Sequence, residues 1–262
     1  MGSAVGLIDH DALMAGDIDR AVAGVPAGGD AAWFRGWMLS PERYGQLWEA
    51  LARRGGGLLV SPEQYRAAHE LPGWYTAFAA VTPASVWRAH APGEAPAADR
   101  LAAMARCLPS GPGIVKDYVK SRKHEWEEAC YVPDLADTDR LRQVVGRFVE
   151  LQDQFLAGGI VLRAFERFVA PEGLAAEVRV WWLDARPVLV SPHPDSTYTQ
   201  CVTPDLDQVR DAVSTLDCRL VTTDLAQRAD GMLRVVEVGD GQVSDLHQAA
   251  DLAGFAEMLT GP

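Results

Sequence analysis

The first ninety residues alternate between short apolar runs and helical patterns of apolar and polar positions. Helices are predicted over 41–54 and over 62 to about 71, and each follows a serine-proline pair that suits an N-cap with proline at the first helical position. Three short strands are predicted beside them: AVGLID, AAWFRGWML and LLV. Strands that alternate with helices indicate an α/β domain.

A stretch rich in Ala, Pro and Gly at 89–99 predicts a linker, and the pattern changes after it. Helices are predicted near 98–107 and over 138–156, with a strand, IVKDYVKS, between them. From Gly159 onward strands predominate, since GIVLRAFERFV is followed by two predicted hairpins. We therefore predict an N-terminal α/β domain over 1–90 and a second, α+β domain over 91–262.

Composition narrows the functional classes. The chain has 262 residues, 48% of them apolar, and a formal net charge of −12, which describes a folded acidic protein and argues against general nucleic-acid binding. No run of 18 apolar residues predicts a membrane span, and the start lacks the layout of a signal peptide. The four cysteines are scattered without C-x-x-C spacing, so we expect reduced thiols and a cytoplasmic protein.

A cluster of carboxylates is predicted at the second hairpin. Asp230-Gly231 suits a two-residue type I′ turn, which would put Asp224 directly across from Glu237 with their Cβ atoms about 5 Å apart. Such a pair is destabilising unless something neutralises it. Asp240 follows three residues later, and three convergent oxygen ligands suit magnesium. The alternative is a solvated hairpin with scattered acidic residues.

A pair of lysines marks the strand at 114–121. Its alternation puts Lys116, Tyr118 and Lys120 on one face, after a Gly-Pro-Gly turn. Two lysines on one face are suited to holding a polyphosphate, because lysine acts as a point charge toward phosphate oxygens. The alternative is an exposed edge strand that its lysines keep soluble.

Three arginines lie within predicted strands. Arg179 is in the middle of a strand and beside tryptophans, so it needs an acidic partner or an anion. Arg163 has a similar position, and an ion pair is the alternative there. Arg35, between Trp33 and Trp37, is our candidate for gripping a substrate carboxylate, and a cation–π contact with those rings is the alternative.

In their order along the chain, these segments resemble an ATP-grasp ligase. The segments that carry the resemblance are GIVKDYVKS, IVLRAFERF, EVRVWWLDARPVLV, VTTDLAQ and VVEVGDGQVSDL. WFRGWML, LLVSPEQYRAAHELPGWY and VEVGDGQVS also look like the small ATP-grasp clade named for two arginines and one lysine. The resemblance covers nearly the whole chain. It implies an α+β ATP-grasp fold, in which a pre-grasp-like N-terminal domain precedes two α+β lobes with ATP between them.

The resemblance also implies roles for individual residues. Lys116 matches the first phosphate-binding lysine, and Lys120 matches a second phosphate contact or the start of a mobile loop. Arg179 matches the arginine that stabilises the transferred phosphoryl group. The remaining matches are the adenine and ribose hinge at Arg163, Phe165 and Glu166, and the magnesium ligands Asp224, Glu237 and Asp240.

Two positions depart from the family pattern. Asp240 stands where the closing motif often has Asn, which leaves an oxygen ligand but adds a negative charge. Ala164 stands where the hinge often has Glu, so that Glu166 is either the ribose contact or an ordinary surface residue.

The expected activity is ATP-dependent ligation of a carboxylate to an amine through an acyl phosphate, with ADP and phosphate released. Its substrates would be small molecules or peptides, and neither their identity nor the oligomeric state follows from the sequence. The alternatives are a phosphotransferase that acts on a hydroxyl and a non-catalytic nucleotide-binding module.

Overall fold

The structure is a computed structural model, and it describes residues 5–260. The helices are α1 (His10–Ala15), α2 (Ile18–Ala21), α3 (Pro41–Arg53), α4 (Pro62–His69), α5 (Leu71–Phe78), α6 (Ala98–Ala105), α7 (Thr138–Gln152), α8 (Asp207–Ser214) and α9 (Leu252–Thr260). The strands are β1 (Ala31–Ala32), β2 (Gly57–Leu58), β3 (Ser85–Ala89), β4 (Gly113–Lys116), β5 (Tyr131–Val132), β6 (Gly159–Ala164), β7 (Phe168–Val169), β8 (Glu177–Leu183), β9 (Arg186–Pro192), β10 (Leu220–Arg228) and β11 (Leu233–Asp240).

The chain forms two compact units. The first unit combines the N-terminal part up to His69 with Ala170–Ala226 and with the chain from Glu237 onward. The second unit combines Glu70–Val169 with Gln227–Val236. These units are defined by contacts between residues, and each combines separate segments of the chain. The predicted domains 1–90 and 91–262 are continuous segments of the sequence, and that division stays a prediction.

In the first unit, α3 confirms its predicted start and its buried face. The Ser40 hydroxyl accepts a hydrogen bond from the Arg43 N–H at 3.2 Å, and the helix buries Tyr44 and Leu47. The predicted strand AVGLID is wrong, because its described residues 5–9 form no strand and Asp9 caps α1 by accepting the Ala12 N–H. Of AAWFRGWML only the first two residues pair, because the Phe34 N–H donates to a side chain, that of Gln242.

The hairpin of β8 and β9 confirms the first predicted hairpin. Asp184 and Ala185 form its turn with positive φ, and a β-bulge interrupts the register at Trp181/Trp182. Strand β8 lies between β9 and β10, with Arg179 opposite Ser191 on one side and opposite Asp224 on the other. Residues 177, 179 and 181 share a face, as predicted.

The second unit contains an antiparallel sheet in the order β3-β6-β4-β5. Helix α7 contributes its apolar face to the core of this unit, where Leu141, Val144, Val145 and Phe148 are fully buried. The predicted long helix is therefore confirmed, although it ends at Gln152, where Asp153 takes a positive φ and a 3-10 turn begins.

The predicted strand over 114–121 is wrong beyond Lys116. Asp117 starts a tight turn in which its N–H donates to the Lys120 carbonyl, and only a bridge between Lys116 and Ser121 continues the pairing. Lys120 is therefore not on the strand face of Lys116. The edge-strand alternative is also wrong, because β4 is an interior strand between β6 and β5.

The second predicted hairpin exists, but its turn has three residues. The Gly231 N–H donates to the Arg228 carbonyl, the Arg228 N–H donates to the Met232 carbonyl, and Gly231 has φ 86°. This shifts the register next to the turn by one residue from the predicted one. At the other end, the Gly241 N–H donates to the Leu220 carbonyl at 2.8 Å, which is the register that the predicted Asp224–Glu237 pair needs.

Two further observations concern the whole described chain. All four cysteines are free thiols. Within residues 5–260, no helix is long and apolar enough to cross a membrane.

Candidate active site

Arg179 and Asp224 form the centre of the candidate site in the first unit. Arg179 Nε and Nη2 donate to the two carboxylate oxygens of Asp224 at 2.7 and 2.8 Å, and Nη1 donates to the Asp245 carbonyl at 3.0 Å. Their side chains are only 12% and 7% exposed. Burial alone would lower the pKa of Arg179, but the hydrogen bonds and charge of Asp224 outweigh it and raise this pKa. The predicted acidic partner of Arg179 is therefore Asp224.

His193 completes this cluster, although no pattern in the sequence indicated it. Its Nε2 lies 3.2 Å from Arg179 Nη2 and 3.5 Å from Asp224 Oδ2. The residue follows β9, and its own N–H donates to the Glu177 carbonyl. A lone histidine after a strand gives no signal in one sequence. That His193 lies near Arg179 follows only from the register of β8 and β9, in which Ser191 is opposite Arg179.

Asp240 belongs to a different network, inside the first unit. It is fully buried, and Oδ1 accepts the Gln242 N–H at 2.9 Å and the Gln242 side-chain amide at 3.2 Å. The Cys218 thiol donates to Oδ2 at 3.6 Å. Burial raises the pKa of Asp240 to about 7, although the hydrogen bonds from Gln242 and Cys218 and the charge of Arg35 lower it.

The predicted magnesium ligands are thus divided between two environments. Asp224 is bound to Arg179, whereas Asp240 contacts Gln242 and Cys218. Among the described residues, no group of three or more His, Cys, Asp or Glu side chains is arranged to hold a metal ion. The donor chemistry still fits magnesium, because this hard cation takes carboxylate oxygens together with water and phosphate oxygens.

In the second unit, Lys116 is a buried cation at the end of β4. The residue is 2% exposed, and its Nζ lies 3.5 Å from the Val119 carbonyl, within the turn that follows the strand. Long charged side chains are rarely buried unless they are paired, so this burial is unlike that of a solubilising lysine. Lys120 is exposed, and its backbone N–H donates to Asp117 Oδ1.

The predicted hinge residues each have protein partners. Arg163 Nε donates to the Ser85 hydroxyl at 2.9 Å, and its guanidinium lies over the Trp74 ring. Glu166 accepts two hydrogen bonds from Arg234, at 2.9 and 3.0 Å. The β6 strand ends before Phe165, so the single predicted strand GIVLRAFERFV is interrupted here.

Phe165 belongs to an aromatic cluster. Trp126 and Tyr131 are stacked with their ring centres 5.2 Å apart, and Phe165 meets both edge-on at 5.9 and 5.3 Å. All three are only partly buried. A partly exposed aromatic surface is suited to stacking on a flat ring.

Arg35 is engaged by the loop that follows β11. Its guanidinium donates to the Gly241 carbonyl and, at 3.1 Å, to the Ser244 carbonyl. It lies 5.4 Å above the Trp181 ring and 5.5 Å above the Phe255 ring. These rings are not Trp33 and Trp37, the tryptophans considered from the sequence, but the geometry is that of a structural cation–π contact.

Comparison with known proteins identifies the family. The profile that matches residues 104–259 is that of an ATP-grasp domain, the third family of the clade named for two arginines and one lysine. The chain belongs to this ATP-grasp family. The resemblance stated from the sequence is therefore confirmed, and the α+β ATP-grasp fold is confirmed with it. A search of curated proteins finds no match.

Solved structures of other ATP-grasp proteins share the fold at low sequence identity. The ATP-grasp ligase PsnB, complexed with a minimal precursor, Mg and ADP, is 15% identical with a TM-score of 0.51, over 84% of this chain and 68% of PsnB. D-cycloserine synthetase DcsG is 16% identical with a TM-score of 0.52, over 84% of this chain and 80% of DcsG. Both are similar in fold.

Proposed function

We propose that this ATP-grasp protein is an ATP-dependent ligase that joins a carboxylate to an amine through an acyl phosphate. The observation that carries the proposal is the buried Arg179–Asp224 pair in a chain of this family. A cation held in place before the reaction stabilises negative charge that develops on a transferred phosphoryl group, because no reorganisation is needed at that moment.

The second unit supplies the proposed nucleotide contacts. Lys116 is the proposed phosphate-binding lysine, and its burial supports the role because a desolvated ammonium interacts more strongly with an anion. Lys120, Arg163 and Phe165 are the remaining proposed contacts. For Glu166 the alternatives are a ribose contact and a structural ion pair with Arg234, and the two hydrogen bonds from Arg234 favour the ion pair. The Trp126–Tyr131–Phe165 cluster supports an aromatic contact for adenine.

Magnesium would be held by Asp224, Glu237 and Asp240, together with phosphate oxygens of ATP. When bound, the ion neutralises charge on the outer phosphates. Arg179 would then hold the phosphoryl group that the substrate carboxylate attacks, and an amine would displace phosphate from the acyl phosphate. ADP, phosphate and an amide are the products.

The proposed substrates are small-molecule or peptide carboxylates and amines. PsnB is described in complex with a precursor peptide, and DcsG is described as D-cycloserine synthetase, so both kinds of substrate occur on this fold. For Arg35 two roles are considered, a contact with a substrate carboxylate and a structural cation–π contact, and its hydrogen bonds to the Gly241 and Ser244 carbonyls favour the second. A cytoplasmic location remains part of the proposal.

Product analysis tests this function. The protein is incubated with ATP, magnesium and a panel of amino acids and short peptides, and its nucleotide products are separated. We expect ADP and an amide, formed only when both acid and amine are present. Arg179→Ala should lower the rate about 100-fold, as removal of other electrostatic stabilisers does, whereas Arg186→Ala, at an exposed position of β9, should not.

Three results would contradict the proposal. Release of AMP and pyrophosphate would show that the intermediate is an acyl adenylate and not an acyl phosphate. ADP with a phosphorylated hydroxyl and no need for an amine would show a phosphotransferase. Nucleotide binding without ADP release for any pair of the panel would show a non-catalytic module.

A further inference from the structure

Asp117, the residue after Lys116, is a buried carboxylate whose four hydrogen bonds all come from uncharged groups. It is 1% exposed. Oδ1 accepts the backbone N–H groups of Val119 and Lys120, the first at 2.7 Å. Oδ2 accepts the Gln152 side-chain amide at 2.6 Å and the Ala157 N–H at 3.2 Å. An ionised carboxylate can accept four such bonds, so the group is fully satisfied without a cation.

These bonds build the turn that faces the Lys116 ammonium. Two of them fix residues 119 and 120, and the Asp117 N–H closes the turn on the Lys120 carbonyl at 2.9 Å. The Val119 carbonyl of this turn lies 3.5 Å from Lys116 Nζ. The position of the ammonium therefore depends on a turn that Asp117 shapes.

The other two bonds attach this turn to the rest of the second unit. Gln152 is the last residue of α7 and is 6% exposed, and Ala157 lies just before β6. The Tyr118 N–H adds a bond to the Ala157 carbonyl at 3.1 Å. Asp117 thus joins the end of β4, the end of α7 and the approach to β6 at one point.

We propose that Asp117 is a positioning residue for Lys116, which it holds in the place where the lysine contacts a nucleotide phosphate. The inference rests on the proposed function, because that function assigns the phosphate contact to Lys116. Displacing a contact by about 1 Å is enough to change a binding or catalytic step strongly. Because Lys116 is assigned to a phosphate, a change at Asp117 should weaken the binding of the phosphates and leave the binding of the base unchanged.

The test compares ATP with adenosine, which lacks phosphates. Asp117→Asn keeps the shape but places an amide N–H where the carboxylate accepts from donors. By calorimetry, we expect about 10-fold weaker ATP binding, and adenosine binding changed less than 2-fold. Asp134→Asn is the matched control, because Asp134 accepts the Ala136 N–H in an exposed turn of the same unit, and it should change neither affinity. Equal losses for ATP and adenosine would overturn the inference.

Lys116→Met separates this inference from the proposed function. If Lys116→Met leaves ATP affinity unchanged, the phosphate role of Lys116 fails. If Lys116→Met weakens ATP binding and Asp117→Asn does not, only the positioning role fails. When both hold, Asp117→Asn added to Lys116→Met should cause no further loss for ATP.

A milder variant covers the case in which Asp117→Asn does not fold. Gln152→Met removes a single donor to Asp117 and keeps the length of the side chain. We expect about 3-fold weaker ATP binding with adenosine binding unchanged, a smaller effect because the turn bonds remain. An unchanged ratio of the two affinities would overturn the positioning role.

Discussion

Arg179 and Asp224 are cross-strand partners on β8 and β10, joined by two hydrogen bonds of 2.7 and 2.8 Å. Neighbouring strands place directly opposite residues close enough for such a pair. The pair gives the candidate site a fixed cation whose charge is balanced by the protein. Arg179 also neutralises Asp224, the carboxylate that was predicted to lie opposite Glu237.

We expect Arg179→Ala to destabilise the protein by about 3 kcal/mol, because it leaves the Asp224 carboxylate buried without its cation. Urea denaturation measures the change in the free energy of unfolding. Removing both charges in the double variant Arg179→Ala/Asp224→Ala should cost less than the two single changes add up to. Additive single effects would show that the pair contributes little to stability.

The strands of this site were predictable because their patterns are strong. EVRV alternates polar and apolar residues, and the face shared by 177, 179 and 181 follows from a period of two. The sequence could not reveal the hydrogen bonds of Asp117, because an isolated K-D pair looks the same in a strand and in a turn. The three-residue loop at Gly231 was missed for a related reason, since Asp-Gly suits more than one hairpin turn.

Contacts between residues far apart in the sequence could not be predicted either. Gln242 donates its side-chain amide to Tyr44, which lies 198 positions earlier, at 3.0 Å, and no local pattern encodes that contact. The same holds for Arg35 and its two carbonyl partners after β11. Residue types predicted the chemistry of the site, whereas tertiary packing decided which side chains remain accessible to a ligand.

Glu166→Gln tests whether this residue is a structural ion-pair partner or a ribose contact. Because both carboxylate oxygens accept from Arg234, which is itself buried, we expect a loss of about 2 kcal/mol in the free energy of unfolding. We expect ATP affinity to change less than about 2-fold, since neutral Gln retains one acceptor for Arg234. A large loss of ATP affinity with unchanged stability would instead support the ribose contact.

Arg35→Ala separates the two roles considered for Arg35. Its donors are used by the Gly241 and Ser244 carbonyls, so we expect the free energy of unfolding to fall by about 1–2 kcal/mol. The KM for the carboxylate substrate should change little in the folded variant. Arg43→Ala in α3 is a control for loss of an arginine from the same unit. If KM rises 10-fold or more and stability is unchanged, Arg35 grips the substrate.

Asp240 gives the stability a dependence on pH that Asp240→Asn should remove. Its folded pKa of about 7 lies above the value of about 4 expected in the unfolded chain. The native state therefore keeps a proton that the unfolded state releases, and stability from this group is complete below about pH 4 and is lost as the pH rises to about 7. Asn keeps an oxygen for Gln242 and has no charge to bury.

Urea denaturation of both proteins between pH 4.5 and pH 7.5, roughly the window between those two pKa values, measures this effect. The free energy of unfolding of Asp240→Asn, relative to the original chain, should increase as the pH rises. Asp230→Asn is a control, because the hydrogen bond from Arg228 lowers the pKa of exposed Asp230, so that its contribution is lost only below this window and the profile should stay parallel to that of the original chain. Parallel profiles for the original chain and Asp240→Asn would show that Asp240 is ionised in the folded protein throughout this range.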